Sequence, residues 1–172
     1  MKVFLFTLVV LAAVVRGACV SDPGDLGGPS ECRAFDTSLS VKDRMSQAEK
    51  VFNLTEPITF ELLIANALNA PATLTAGSSC TAVVFEVTDS AQRRQWGSAD
   101  NIACFQMLQP RTYAPLETVR ESDTWDQRGS DGTFVPPGAY EVKAGVGQYA
   151  PGNGSLVDCR AHLNQSSTFR IQ

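Results

Sequence analysis

Alternation of apolar and polar residues governs what this chain can fold into. Ile58, Phe60, Leu62 and Ile64 fall on one side of an extended segment, with Thr59, Glu61 and Leu63 on the other. Val83, Phe85 and Val87 repeat the period within Thr81–Thr88, and Tyr140, Val142 and Ala144 repeat it again beside Glu141 and Lys143. A period of two is the signature of strands with one buried face. Weaker runs follow the same logic at Phe35 onward, Ala72–Ala76, Arg93–Trp96, Ala103–Leu108, Leu116–Ser122 and Ser167–Ile171. Asn66–Pro71, Asp89–Gln92 and Gly129–Gly138 supply turn residues between them. A helical turn is expected near Val157–Leu163. The one long helix candidate, Val41–Phe52, has poor apolar spacing. About eight short strands separated by turns predict an all-β chain, an immunoglobulin-like antiparallel β-sandwich of seven to nine strands.

The start of the chain is of another kind. Met1-Lys2 leads into an apolar run from Val3 to Val15, then Arg16-Gly17-Ala18-Cys19. That order reads as a secretory signal peptide over residues 1–17. The run is shorter than the roughly 20 residues a membrane-spanning helix needs. Ser21–Ser30 is rich in Gly, Pro and Asp, so residues 18–34 read as a flexible leader and 35–172 as the folded domain. Export predicts a secreted, extracellular location, with lipid attachment at Cys19 as the alternative.

Five cysteines fit an oxidising compartment. Setting Cys19 aside as the odd one leaves four, which allow three pairings. The expected bridges are Cys80–Cys104 in the sheet region and Cys32–Cys159 tying the chain ends. Asn53, Asn153 and Asn164 each lead a glycosylation sequon.

Charge excludes some partners. Removing Lys2 and Arg16 from the 14 basic residues leaves 12 against 18 acidic ones, a net charge of −6. Nucleic acid, which demands clustered Lys and Arg, is not expected. Nor is an anionic membrane surface, and no second long apolar stretch spans a bilayer. Catalysis is not expected either. His162 is the single histidine, no nucleophile motif accompanies it, and dispersed cysteines do not make a zinc site. Asp123, Asp126 and Asp131 lack calcium-loop spacing. No cofactor is implied. Trp96 and Trp125 read as core residues, and Tyr140, following Pro136-Pro137-Gly138, reads as a tyrosine-corner anchor.

Between Ile58 and Ile171 an ordered set of landmarks stands out. These are the Ile58–Asn66 strand ending in Asn, Ala72-Thr-Leu-Thr75, Thr81–Asp89, and Gln95-Trp-Gly-Ser98 leading to Phe105-Gln106. Thr124-Trp-Asp-Gln127, the Pro137–Ala144 strand and Ser167–Ile171 complete the set. Together they resemble the BsuPI family, named after an intracellular proteinase inhibitor of Bacillus. The resemblance implies an immunoglobulin-like sandwich and a protein partner, a serine proteinase in the founding member. An inhibitor acts by presenting an extended loop to an enzyme's cleft. Asp89–Arg93, Leu108–Pro115 and Gln127–Pro137 are candidate loops, and Arg111, Thr112 and Tyr113, held between prolines, are the candidate contact residues. The function expected is thus a secreted, disulfide-stabilised binding module with inhibitory action. The alternatives are a non-inhibitory extracellular structural, matrix or developmental protein, and a bacterial envelope lipoprotein.

Overall fold

The computed structural model describes residues 30–78, 83–100 and 102–172. The signal segment, Cys19, Cys80 and most of the leader lie outside them. Three groups of strands build the domain, antiparallel with one exception. In the first, β1 (Phe35–Lys42) and β8 (Thr118–Trp125) flank β3 (Ile58–Asn66). In the second, the order is β2 (Val51–Phe52), β12 (Gln165–Ile171), β9 (Gly138–Val146), β5 (Val83–Asp89) and β6 (Arg94–Gly97). The short β2 runs parallel to β12, and every other pairing is antiparallel. In the third, β11 (Ser155–Asp158), β10 (Gln148–Gly152), β4 (Ala72–Ala76) and β7 (Gln109–Tyr113) lie side by side.

The first two sheets face each other, and the alternating residues fill the space between them. Phe60 on β3 meets Phe85 of β5 at 6.1 Å and Phe169 of β12 at 5.9 Å between ring centroids. Trp125 on β8 meets Tyr140 of β9 at 6.0 Å and Trp96 of β6 at 6.3 Å. Ile58, Leu62, Ile64, Val87 and Val142 are wholly buried around these rings. This is the expected β-sandwich. Burial of each such side chain contributes roughly 1.5–3 kcal/mol, which offsets the entropy of ordering the strands.

The third sheet continues the second through one chain segment. Only Gly147 separates β9 from β10, so a strand paired with β5 and β12 passes on to pair with β4 and β11. Phe35 of β1 packs edge-on against Tyr113 of β7 at 5.3 Å, which fixes the third sheet to the first. The chain ends are clasped as well. A 3-10 turn, Cys32–Ala34, precedes β1, and the one-turn helix α1 (Arg160–Leu163) precedes β12. A disulfide joins Cys32 to Cys159 across 127 residues of sequence. The Thr37 hydroxyl donates to the Leu163 carbonyl at 3.0 Å beside it.

Polar anchors hold the loops. Gln127 is fully buried, with its backbone at φ 63°. Its amide donates to the carbonyls of Asn53 and Glu56 at 2.8 and 2.7 Å and accepts from the Thr55 N–H at 2.8 Å. The Tyr140 hydroxyl donates to the Pro136 carbonyl at 2.5 Å, anchoring the turn into β9 as a tyrosine corner does. The Trp125 indole donates to the Arg128 carbonyl at 2.8 Å.

Three local expectations are corrected. Val41–Phe52 is no helix: it holds the end of β1, a turn and β2. The Asp43 carboxylate accepts from the N–H groups of Met45 and Gln47, at 2.9 and 2.8 Å, and closes that turn. Ala103–Leu108 forms no strand. Its would-be partner β4 stops at Ala76, and the next N–H, of Gly77, is taken by the Gly147 carbonyl at 3.1 Å. Conversely Leu108–Pro115, expected as a loop, contains β7. Pro110 is tolerated there because β7 is an edge strand, where a missing donor on the open side costs nothing.

Candidate functional site

The strand β7 sets the surroundings of the candidate contact residues. Arg111, Thr112 and Tyr113 sit on a strand paired residue by residue with β4. Tyr113 points into the core and is 1% exposed. That burial pushes its hydroxyl pKa up, against the opposing effect of the nearby Arg111 charge. Thr112 shares a hydroxyl contact with Thr73 at 3.0 Å. Arg111 lies over the Tyr113 ring at 5.2 Å and reaches Glu121 at 3.5 Å. These three residues are therefore brought together, but as part of a sheet. Entering a cleft as an extended loop would require stripping β7 from β4.

The segment just before them behaves differently. From residue 101 to residue 110 the sequence carries no charge (NIACFQMLQP). Residues 102–108 lie outside every sheet and are exposed along their whole length. Phe105 is 75% exposed, Leu108 60%, Met107 51% and Ile102 49%. Apolar side chains this exposed and this close in sequence mark a contact surface more often than a resting one.

Both ends of the segment are held. At its start, the Asp100 carboxylate accepts from the Gly97 N–H at 2.9 Å and pairs with Arg94 at 2.5 Å. Arg94 also pairs with Glu86 at 2.9 Å. The hydrogen bond to Asp100, more than any other contact, raises the pKa of the Arg94 guanidinium. At its end, Gln109 enters the ladder opposite Ala76. In the middle, Cys104 takes part in a disulfide, while the Cys80 side of the expected pairing lies outside the described residues. Met107 and Leu108 turn towards the third sheet. With Gly77, Gln106, Tyr149 and Leu156 they line a groove of about 480 Å³.

The remaining candidate positions are spread over the surface. Asn53 is exposed after β2, and its amide donates to Glu56 at 3.3 Å. Asn153 (φ 40°) and Gly154 (φ 83°) form the tight β10–β11 turn, where glycine meets the left-handed backbone without strain. Asn164 follows α1, and its side-chain Oδ1 accepts from the Val146 N–H at 2.7 Å. His162 lies on α1 with Nε2 3.1 Å from the Phe35 carbonyl, so it donates there when Nε2 carries the proton. Among the described residues, no group of three or more acidic, His or Cys side chains is placed to hold a metal ion. No described helix is long and apolar enough to cross a membrane.

A family model described as "Intracellular proteinase inhibitor", BsuPI, matches residues 45–148. The chain belongs to the BsuPI family. The match takes in the sandwich from the turn after β1 to the start of β10, and with it the whole 102–108 segment. Family membership makes this an inhibitor-like β domain, which points to a protein partner such as a proteinase and away from an enzyme. It also corrects the expected location. BsuPI is described as intracellular, which overturns the expectation of a secreted, extracellular chain and the lipid-anchored alternative at Cys19. That expectation rests on the apolar leader, the five cysteines and the three sequons, none of which identifies the family of the domain.

No curated protein matches the chain. Solved structures share its outline at low identity. A Pseudomonas fluorescens alkylpurine DNA glycosylase bound to abasic-site DNA is 15% identical, with a TM-score of 0.43 over 81% of this chain, which spans 30% of the glycosylase. The C-terminal domain of wzt is 6% identical, with a TM-score of 0.45 over 81% of this chain and 74% of that one. A CARDB domain from Pyrococcus furiosus, in complex with di-metal ions, is 12% identical, with a TM-score of 0.39 over 80% of this chain and 89% of its own. Likenesses this distant carry no functional argument.

Sequence reasoning passed over the 102–108 segment as a weak strand. The signal that could have found it is the lack of alternation. Phe105 and Met107 share one parity, and Cys104 and Leu108 share the other, so no single face can bury them all.

Proposed function

We propose that this domain is a proteinase inhibitor with a serine proteinase as its partner, and that residues 102–108 are the surface that meets the enzyme. The folded unit of 35–172 serves as the scaffold, tightened by the Cys32–Cys159 bridge. One observation carries the reading: within a domain of an inhibitor family, Ile102, Phe105, Met107 and Leu108 are exposed together in one segment that lies outside the sheets among the described residues. A proteinase cleft receives its peptide extended. A segment tethered by the Cys104 disulfide and by the entry of Gln109 into the β4–β7 ladder has less conformational entropy to lose on entering, and that saving appears as affinity. Charge supports the same surface, because nothing between residues 101 and 110 would be stripped of water as a bare ion.

Active-site titration tests this. Subtilisin, chymotrypsin and trypsin at known active-site concentration are each mixed with increasing amounts of the full chain, and residual activity is read. At least one enzyme should lose activity linearly, to an end point near one inhibitor per active site. Full activity of all three at micromolar inhibitor, or cleavage of the chain as an ordinary substrate, would refute the reading.

A further inference from the structure

We infer that the proteinase bound by this domain has an apolar primary specificity pocket, and that Phe105 is the side chain that fills it. The inference rests on the inhibitor reading above and adds the chemistry of the target.

Two side chains in and beside the segment bear on which kind of pocket the target has: the Phe105 ring and the Arg111 guanidinium. They would select opposite enzymes, since an arginine needs an acidic pocket and a phenylalanine an uncharged one. Their settings differ. Arg111 stands on β7 opposite Leu74, in the strand ladder. Its guanidinium is engaged by the Tyr113 ring below it and by Glu121 beside it. Withdrawing it breaks both contacts, and its backbone cannot advance without leaving the sheet. Phe105 lies in the segment that belongs to no sheet, and it is the most exposed large apolar side chain among the described residues. Its neighbours are accounted for. Met107 and Leu108 turn back to line the groove with Tyr149 and Leu156, and Phe105 is not among the lining residues. Cys104, one residue earlier, is fixed by a disulfide. The backbone is therefore tethered next to the side chain that projects, which limits what is lost when the ring is captured.

The test compares inhibition of chymotrypsin, whose primary pocket is apolar, with inhibition of trypsin, whose pocket is acidic. The full chain and its Phe105→Ala, Phe105→Arg and Arg111→Gln variants are used. Because Phe105 is exposed, its variants should keep the parent's unfolding midpoint, which is measured alongside. The parent should inhibit chymotrypsin and spare trypsin. Phe105→Ala should weaken chymotrypsin inhibition at least about thirtyfold, as removal of a central aromatic anchor does. Phe105→Arg should move inhibition to trypsin, and Arg111→Gln should stay within about threefold of the parent, as a side chain outside the contact does. Chymotrypsin inhibition that survives Phe105→Ala, or trypsin inhibition that Arg111→Gln abolishes, would overturn this inference and leave the inhibitor reading standing. Failure of the parent against both enzymes and subtilisin would remove that reading and this one with it.

Discussion

Replacing Cys32 and Cys159 together by serine should lower the unfolding free energy by about 5 kcal/mol, the chain-entropy value for a closed loop this long. The bridge spans 127 residues, so it constrains nearly the whole unfolded domain. It also closes the fold where little else does. Cys32 leads into β1 and Cys159 into α1 and β12, and both sulfurs are fully buried. Without the bond, α1 keeps the turn bonds from the N–H groups of His162 and Leu163 to the Cys159 carbonyl, at 3.0 and 2.9 Å. Its tie to the other end of the chain would then rest on Thr37 and His162. Domains of this size are stable by only about 5–15 kcal/mol, so the loss takes a large share. Urea unfolding of the parent and the double variant gives the difference directly. Equal midpoints would mean that the bond constrains nothing the sheets do not already hold.

Truncating Trp125 to alanine should cost about 3–5 kcal/mol, the usual range for removing a buried aromatic ring. The ring is fully buried where the first two sheets meet. It contacts Trp96, Tyr140 and Phe169 at centroid distances of 6.3, 6.0 and 6.4 Å. These neighbours come from three strands of the opposite sheet, so a cavity there cannot close by the shift of one side chain. The indole also satisfies the Arg128 carbonyl at the start of the 128–134 turn. Trp125→Phe keeps most of the ring volume and loses that part-buried bond, so it should cost about 1 kcal/mol for the hydrogen bond. Calorimetry separates the two, with a Tm fall of roughly 10 °C for the alanine and a few degrees for the phenylalanine. Similar falls for both would place the weight on the hydrogen bond rather than on the packed ring.

Much of the sandwich was legible in the sequence because its central strands each bury one face. β3, β5 and β9 carry that pattern in Ile58–Ile64, Val83–Val87 and Tyr140–Ala144, and all three lie in the interior of their sheets. The edges were harder. β2 is two residues long, β10 and β11 fall in a stretch without alternation, and Pro110 disguises β7 as a loop. Edge strands are half exposed, so burial selects their residues weakly. Gln127 gave no signal, because its buried amide is defined by carbonyls more than 70 residues away. Arg111, Thr112 and Tyr113 read as part of a loop for a related reason. An apolar run reads alike in sequence whether it is destined for a sheet or for a partner. At residues 102–108 the ladder with β7 has ended at Ala76 of β4, which lies some thirty residues earlier in the chain.

Hydrogen–deuterium exchange on the full chain, alone and saturated with an inhibited proteinase, tests the contact surface most directly. The account requires new protection over residues 102–110, with the β10–β11 turn and the 89–93 hairpin unchanged. Protection centred on either of those, or a binding enzyme that leaves 102–110 exchanging as in the free protein, would contradict it.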